Sequence, residues 1–284
     1  METSRRGFLQ VAGLAALGLV VAKPATLLFS KLNSSDTSSA SGDLTVTEGS
    51  EITRRLAMAI DINKCSKDAT NCKECQIACH RWHKVPNIPD HEEEIKWIWN
   101  DTYGRVFEER LIEHVDEEDE AKKALPVLLL CNQCTNPQCI RYCPTRATWK
   151  RQSDGIVMVD YHRCIGCRYC MAGCPYGARS FNWRNPRTAL TDADINPESD
   201  YPTRTRGVVE KCIFCADILE IDDNGNPTPG HTPKCVEACT SGALVFGDLL
   251  NENSEISKLL KSGDVQIIRR LPELGTNPNN YYIL

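Results

Sequence analysis

The sequence carries no phosphate-cradling glycine loop, no hydrolytic triad signature and no metalloprotease helix motif. Nothing in it would hold or process an organic substrate. An excess of one charge is also missing: 33 basic against 38 acidic residues leave a formal net charge of −5, and the basic residues are scattered. That removes the electrostatic footprint of a nucleic-acid binder. No C-x-x-C-H string occurs, the nearest being Cys75 to His80 with one residue too many, so covalent haem is not expected. Long apolar runs are scarce as well. Val11 to Ala22, near the N-terminus, falls short of the roughly 20 residues that cross a bilayer.

What the chain has instead is cysteine, 16 in 284 residues, in four groups of four. Group one is Cys65, Cys72, Cys75 and Cys79; group two is Cys131, Cys134, Cys139 and Cys143; group three is Cys164, Cys167, Cys170 and Cys174; group four is Cys212, Cys215, Cys235 and Cys239. Group three is the sharpest signal, because C-I-G-C-R-Y-C-M-A-G-C-P has the ferredoxin spacing of two, two and three intervening residues followed by proline. Three closely spaced thiolates wrap three corners of a cubane from one tight loop, and the fourth, further along a helical turn, serves a second cluster. Pro144 and Pro175 fix φ and withhold a backbone donor where the chain leaves groups two and three. Thr240 and His80 take that position in groups four and one, where the turn is less constrained. Three ligands to one cluster and one to another, taken over all the groups, make four [4Fe-4S] clusters with no cysteine left over.

Structural zinc and disulfides are the competing readings. Zinc knuckles use C-x-x-C pairs but rarely this run with its trailing proline. Disulfide scaffolds are usually short and lack the recurring spacing.

Paired Arg5 and Arg6 ahead of the apolar run read as a twin-arginine export signal over about residues 1–30. Phe8 to Phe29, with Lys23 and Pro24 tolerated, is the alternative of an uncleaved anchor. Residues 31–50, rich in Ser, Thr, Asp and Gly, form a linker with too little apolar surface to fold. The domain then runs over 51–284. L-A-M-A-I-D-I-N-K-C ending at Cys65 matches G-I-V-M-V-D-Y-H-R-C ending at Cys164, a strand, an Asp and a first ligand. Ala147, Ala178 and Ala243 each follow the last cysteine of a group by four positions, where a small residue lets the chain pass close to a cluster. The expected fold is α+β and loop-rich: two bacterial-ferredoxin-like lobes with a pseudo-twofold repeat. One lobe holds motifs one and four (about 51–90 plus 205–284), the other motifs two and three (about 125–185). Each lobe is expected to have little apolar core, so that cluster ligation supplies much of its stability. Trp97 to Trp99 reads as packing, Val115 to Glu120 as a solvated helix face, Asp222 to Asn226 as a hairpin turn, and Asn253 to Ser262 as a capped helix closed by Gly263.

From about Leu56 to the C-terminus these motifs resemble the four-cluster iron–sulfur subunits of membrane-bound and periplasmic oxidoreductases, the beta subunits of the molybdopterin type and those with NrfD-like membrane partners. C-N-Q-C-T-N-P-Q-C-I-R-Y-C-P, C-I-G-C-R-Y-C-M-A-G-C-P-Y-G-A, and K-C-I-F-C with C-V-E-A-C-T-S-G-A-L-V-F-G-D carry the likeness, and P-E-L-G-T-N-P-N-N-Y-Y is similar to the family's ending. The first motif, with six residues between Cys65 and Cys72 and H-R-W-H-K-V-P after Cys79, resembles the periplasmic O subunit of the DsrMKJOP complex of dissimilatory sulfur metabolism.

The resemblance implies the ligand sets. Cys65, Cys72, Cys75 and Cys239 would hold one cluster, and Cys212, Cys215, Cys235 and Cys79 its neighbour. Cys131, Cys134, Cys139 and Cys174 would hold the third, and Cys164, Cys167, Cys170 and Cys143 the fourth. The widened first gap leaves a [3Fe-4S] centre open at Cys65. His80 and His83 are candidates for hydrogen bonds to cluster sulfur, proton coupling or partner contact, with packing as the alternative; Arg141, Arg163, Arg168 and Arg179 offset cluster charge, dock a partner or are solvated. The implied role is electron transfer at the periplasmic face, without a substrate site. The implied partners are an NrfD-like integral membrane subunit with a multihaem cytochrome c, or a molybdopterin catalytic subunit such as that of polysulfide, tetrathionate or dimethyl sulfoxide reductase. Membrane association would come through the complex or an uncleaved N-terminal helix.

Overall fold

Short runs of β-branched and apolar residues flank every cysteine group, and in the computed structural model each run becomes a strand. The structure describes residues 53–67, 72–108 and 122–284; the twin-arginine segment, the linker, the acidic run 115–120 and the middle of the widened first gap lie outside the described residues. Strand β1 (Leu56–Asp61) leads into group one, carried by helices α1 (Ile62–Lys67) and α2 (Glu74–Trp82), and β2 (Ile98–Thr102) follows. After α3 (Tyr103–Val106), β3 (Pro126–Leu130), α4 (Gln138–Arg141) and β4 (Thr148–Lys150) frame group two. Group three lies among β5 (Val157–Val159), α5 (Tyr169–Ala172) and β6 (Ser180–Phe181), with α6 (Pro186–Ala189) beyond. Group four lies among β7 (Val209–Glu210), α7 (Lys234–Glu237) and β8 (Leu244–Asp248). Helix α8 (Glu255–Lys261), β9 (Ile267–Ile268) and β10 (Asn280–Ile283) complete a mixed helix and sheet, loop-rich fold.

The pairing of these strands forms a circuit. β2 pairs with β3, β4 with β5 and β6 with β7, all antiparallel, and β8 pairs back antiparallel with β1. The strand leaving each group is therefore the partner of the strand entering the next. The two matched sequence segments share one local device. Asp61 N–H donates to Ala243 O at 2.9 Å, and Asp160 N–H to Ala147 O at 2.7 Å. The same two carboxylates then accept from the backbone just ahead of the first ligand, Lys64 N–H at 2.8 Å and Arg163 N–H at 3.2 Å. An Asp four residues before a cysteine thus ends a strand and turns the ligand loop in both places.

Period-two alternation decides which way β1 faces. Leu56, Met58 and Ile60 enter the main core with Trp97, Phe246 and Tyr282, while Ala57 and Ala59 lie under Ile256 of α8. Trp97 is fully buried, in keeping with its reading as packing. This core, built from β1, β2, β3, β8 and β10, is larger than the sequence reading expected, because strands that look short and isolated in sequence converge. The turn at Asp222 closes by Asp222 N–H to Asn226 O at 2.9 Å, and Ser254 caps α8 by accepting from Ser257 N–H at 3.2 Å.

The C-terminal segment is structural. β10 inserts parallel to β1, giving the sheet order β8-β1-β10-β9. At its start, Asn279 donates through Nδ2 to Gln133 O at 2.7 Å, and Asn280 through Nδ2 to Cys131 O at 3.3 Å, which ties the tail to the group-two loop. Truncating the buried Tyr282 to alanine is expected to cost on the order of 3–5 kcal/mol, the scale for burying an aromatic ring. A denaturant midpoint of the cluster-loaded protein within error of wild type would show that β10 is dispensable.

Candidate metal centres

None of the sixteen thiols forms a disulfide. Their mutual electrostatics and one shared cavity bring thiols of different sequence groups together. Burial, then the charges of Cys65, Cys239 and Cys72, pushes the Cys75 thiol up to about 12. Cys79, one turn further along α2, answers to a different set: burial and then Cys212, Cys215 and Cys235 raise it. Burial and then Cys131, with Cys139 and Cys174, push Cys134 up to about 12. Cys143, Cys164, Cys167 and Cys170 line one cavity with Thr145, Thr148 and Arg168.

Neighbouring quartets are linked. Cys75 also raises Cys79 and Cys235, Cys131 raises Cys212, and Cys139 raises Cys170, in each case after burial. Named by the group that supplies most of each quartet, the order of contact is one, four, two, three.

Left-handed backbone shapes the ligand loops at Gln133, at Gly166 and Arg168, and at Phe214 and Cys215. Gly166 has no substitute: its φ is +70°, and a Cβ there would lie 2.2 Å from Gly207 O. Backbone amides turn toward sulfur: Phe214 N–H donates to Cys212 Sγ at 3.4 Å, Lys234 N–H to Cys215 Sγ at 3.4 Å and Val209 N–H to Cys164 Sγ at 3.5 Å. Leaving groups two, three and four, the chain passes a left-handed residue, Arg146, Gly177 or Gly242, and delivers the buried Ala147, Ala178 or Ala243. Group one departs from this because α2 runs on to Trp82 and the left-handed residue is Lys84.

The histidines resolve differently. His83 is buried, donates through Nδ1 to Cys79 O at 2.9 Å, and stacks on Trp97 with ring centroids 4.2 Å apart. Its Nε2 faces Asp217 Oδ1 at 3.8 Å. Burial alone would raise Asp217; the facing imidazole and the Trp82 indole, donating at 2.9 Å, hold it below the usual carboxylate range instead. Burial lowers His80 to about 4 and keeps it neutral. Both rings are built into packing, with His83 Nδ1 3.7 Å from Cys79 Sγ. Of the arginines, Arg179 is buried and donates through Nη2 to Cys139 Sγ at 3.0 Å. Arg163 pairs with Asp160 at 3.3 Å, Arg168 lies 4.6 Å over the Trp183 ring, and Arg141 is exposed.

Sequence reading passed over the polar scaffold between the quartets. Arg204 and Glu210 form a fully buried ion pair at 2.7 Å, and Trp97 Nε1 donates to the same carboxylate at 2.6 Å. Lys211, fully buried, donates to Cys212 O at 2.8 Å and to Val157 O. Gln133 bridges Cys212 O and Val157 N–H, each at 2.8 Å. Lys211 and Gln133 sit inside K-C-I-F-C and C-N-Q-C. Their position within cysteine motifs was the available signal.

Buried thiols that raise one another cannot ionise together without a counter-charge. Iron supplies one, and an all-thiolate donor set suits iron–sulfur or zinc. Among the described residues no three such donors converge on a point, as a single tetrahedral ion requires. A cubane meets its thiolates at separate corners, so the quartets with their N–H···S bonds fit [4Fe-4S].

The model of the 4Fe-4S dicluster domain family matches residues 125–192, which contain groups two and three. Over 296 aligned positions, 98% of this chain and 97% of the relative, the sequence is 37% identical to the Hdr-like menaquinol oxidoreductase iron-sulfur subunit 1 of Archaeoglobus fulgidus. The chain belongs to the iron–sulfur electron-transfer subunits of menaquinol and molybdopterin oxidoreductases. Within this subunit family it is also 37% identical to the menaquinone reductase iron-sulfur cluster-binding subunit of Nitratidesulfovibrio vulgaris, over 81% of this chain and 88% of that one. A tetrathionate reductase subunit of Salmonella typhimurium is 31% identical over 100% of this chain and 89% of its own length. [4Fe-4S] clusters are therefore the cofactor of this iron–sulfur subunit. Among the described residues no helix is long and apolar enough to cross a membrane.

Gly166→Ala is expected to destabilise the group-three loop by at least the ~1–3 kcal/mol of left-handed strain. Iron per chain should fall, and full iron content with wild-type melting would refute the close approach.

Proposed function

We propose that this protein holds four [4Fe-4S] clusters in two ferredoxin-like lobes and relays single electrons between an NrfD-like, quinone-reactive membrane subunit and a second redox subunit. The lobes are those of motifs one and four and of motifs two and three. Cys65, Cys72, Cys75 and Cys239 would hold the first cluster; Cys79, Cys212, Cys215 and Cys235 the next; Cys131, Cys134, Cys139 and Cys174 the third; Cys143, Cys164, Cys167 and Cys170 the last. What supports this reading is the four-group cysteine spacing together with thiols that meet across the groups, Cys79 beside Cys212, Cys215 and Cys235, and Cys143 lining one cavity with Cys164, Cys167 and Cys170. A bound cluster supplies one-electron storage. The chain's own part is to fix cluster spacing, exclude water around buried thiolates, and bias potentials by N–H···S bonds and nearby charge.

Such an order has two ends. Around the last quartet stand the exposed Ile165 (66%), Tyr169 (63%) and Tyr142 (53%), beside the exposed cations Arg141 and Arg168. Aromatic and arginine side chains of this kind anchor protein interfaces. We assign this collar to contact with a redox partner. Export by the twin-arginine route would bring the subunit to the periplasmic face, and dissimilatory sulfur metabolism, with a multihaem cytochrome c at the far end, is the setting that the first motif favours. The alternative, beta subunit of a molybdopterin enzyme, is supported by the full-length match to a tetrathionate reductase subunit. Chains that co-purify with the tagged protein separate the two.

Anaerobically prepared protein is expected to contain about sixteen iron and sixteen acid-labile sulfide per chain. Three iron in place of four at one site, with a signal from the oxidised protein in electron paramagnetic resonance, would mark a [3Fe-4S] centre at group one. Absence of iron would overturn the reading. Paired Ile165→Asp and Tyr169→Asp changes are expected to slow quinol-driven reduction in the purified complex by on the order of tenfold or more, with iron content unchanged. Unaltered rates would move the contact elsewhere.

A further inference from the structure

Arg179 combines features that the relay does not otherwise require. It is only 4% exposed, yet it carries a permanent charge. Nη2 donates to Cys139 Sγ at 3.0 Å and Nη1 to Thr148 Oγ1 at 3.2 Å, so both arms of the fork are held. The charges it answers to are thiolates: Cys139 first, then Cys170 and Cys131. Cys139 and Cys131 belong to one quartet and Cys170 to the next, which puts the guanidinium at the junction between them. The other deeply buried cations are satisfied differently, Arg204 by Glu210 and Lys211 by carbonyls. Among the described residues no carboxylate pairs with Arg179. A buried cation without a counter-ion costs several kcal/mol, so its counter-ion is the sulfur-ligated site itself.

We infer that Arg179 sets the reduction potential of the cluster held by Cys131, Cys134, Cys139 and Cys174, raising it above that of the next cluster at Cys143, Cys164, Cys167 and Cys170. The inference rests on the ligand sets proposed above. Reduction adds one negative charge to a cluster. Arg179 acts on two ligands of the first cluster, Cys139 by a direct bond and Cys131 by charge, and on one ligand of the neighbouring cluster, Cys170, so the first is stabilised more. The electron is accepted from the adjacent cluster or an external reductant, and no proton or bond change accompanies it. Arg179 is thus a tuning residue that places a step in potential at the junction.

The test is a reductive titration of anaerobic cluster-loaded protein, followed by electron paramagnetic resonance, for wild type, Arg179→Gln, Arg179→Lys and Thr148→Val. Iron and sulfide are measured on each sample. In Arg179→Gln, the reduced-to-oxidised ratio of one cluster at fixed potential should fall about tenfold, equivalent to about 59 mV for one electron. Arg179→Lys, which keeps the charge and loses the fork, should recover part of the shift. Thr148→Val, which frees one arm, should shift the same cluster the same way by less. Wild-type iron near sixteen with no shift in any variant would overturn the inference, as would equal shifts in all clusters. Low iron in the wild type would instead sink the four-cluster reading. Should Arg179→Gln lose iron, Thr148→Val and Arg179→Lys still decide the matter.

Discussion

Gathering thiolates out of water is the constraint on which this structure turns. A buried thiol resists ionisation, and each like-charged neighbour increases that resistance; Cys75, Cys79, Cys215 and Cys235 all stand well above the ordinary thiol range for both reasons. Iron removes the conflict, since the same burial and crowding that penalise bare anions strengthen their attraction to a metal cluster. Much of the remaining architecture holds donors near sulfur or keeps the thiols in place. Backbone amides aimed at Cys164, Cys212 and Cys215, hydroxyls near Cys143 and Cys239, and one guanidinium at Cys139 supply partial positive charge.

A second constraint follows from the first. Most of the backbone in the ligand loops is bent around sulfur and not extended, so the strands lie mainly outside the cysteine loops. The fold recovers cohesion by linking them in series and by burying polar groups in complementary sets. Arg204 with Glu210 and Trp97, and Lys211 with two carbonyls, are costly to desolvate singly and are offset by these partners.

The chemistry of the site was legible in the sequence to an unusual degree, because cysteine spacing is a covalent ruler. The x2-x2-x3 run with proline, the repeated Asp four residues before a first ligand, and the Ala four after a last one each correspond to an observed turn, bond or buried position. The turn at Asp222 and the cap at Ser254 were equally local and equally readable. What the sequence hid was long-range. Nothing local shows that β10 must lie beside β1, since those two strands are more than two hundred residues apart. Gln133, Lys211, Arg204 and Glu210 looked like ordinary polar residues because burial is a property of the assembled fold. Arg179 was visible as a candidate, but the bond to Cys139 that separates it from Arg141 and Arg168 depends on three dimensions.

The pairings in the circuit of strands also differ in how far each reaches along the sequence. Strands β4 and β5 lie close in sequence and pair with each other. Strand β1 pairs only with strands far along the sequence, β8 and β10. The circuit is therefore closed by strands distant in sequence. Residues 56–61, an apolar strand, lack both sheet neighbours until 244–248 and 280–283 are in place, so the integrity of this sheet depends on segments at opposite ends of the domain.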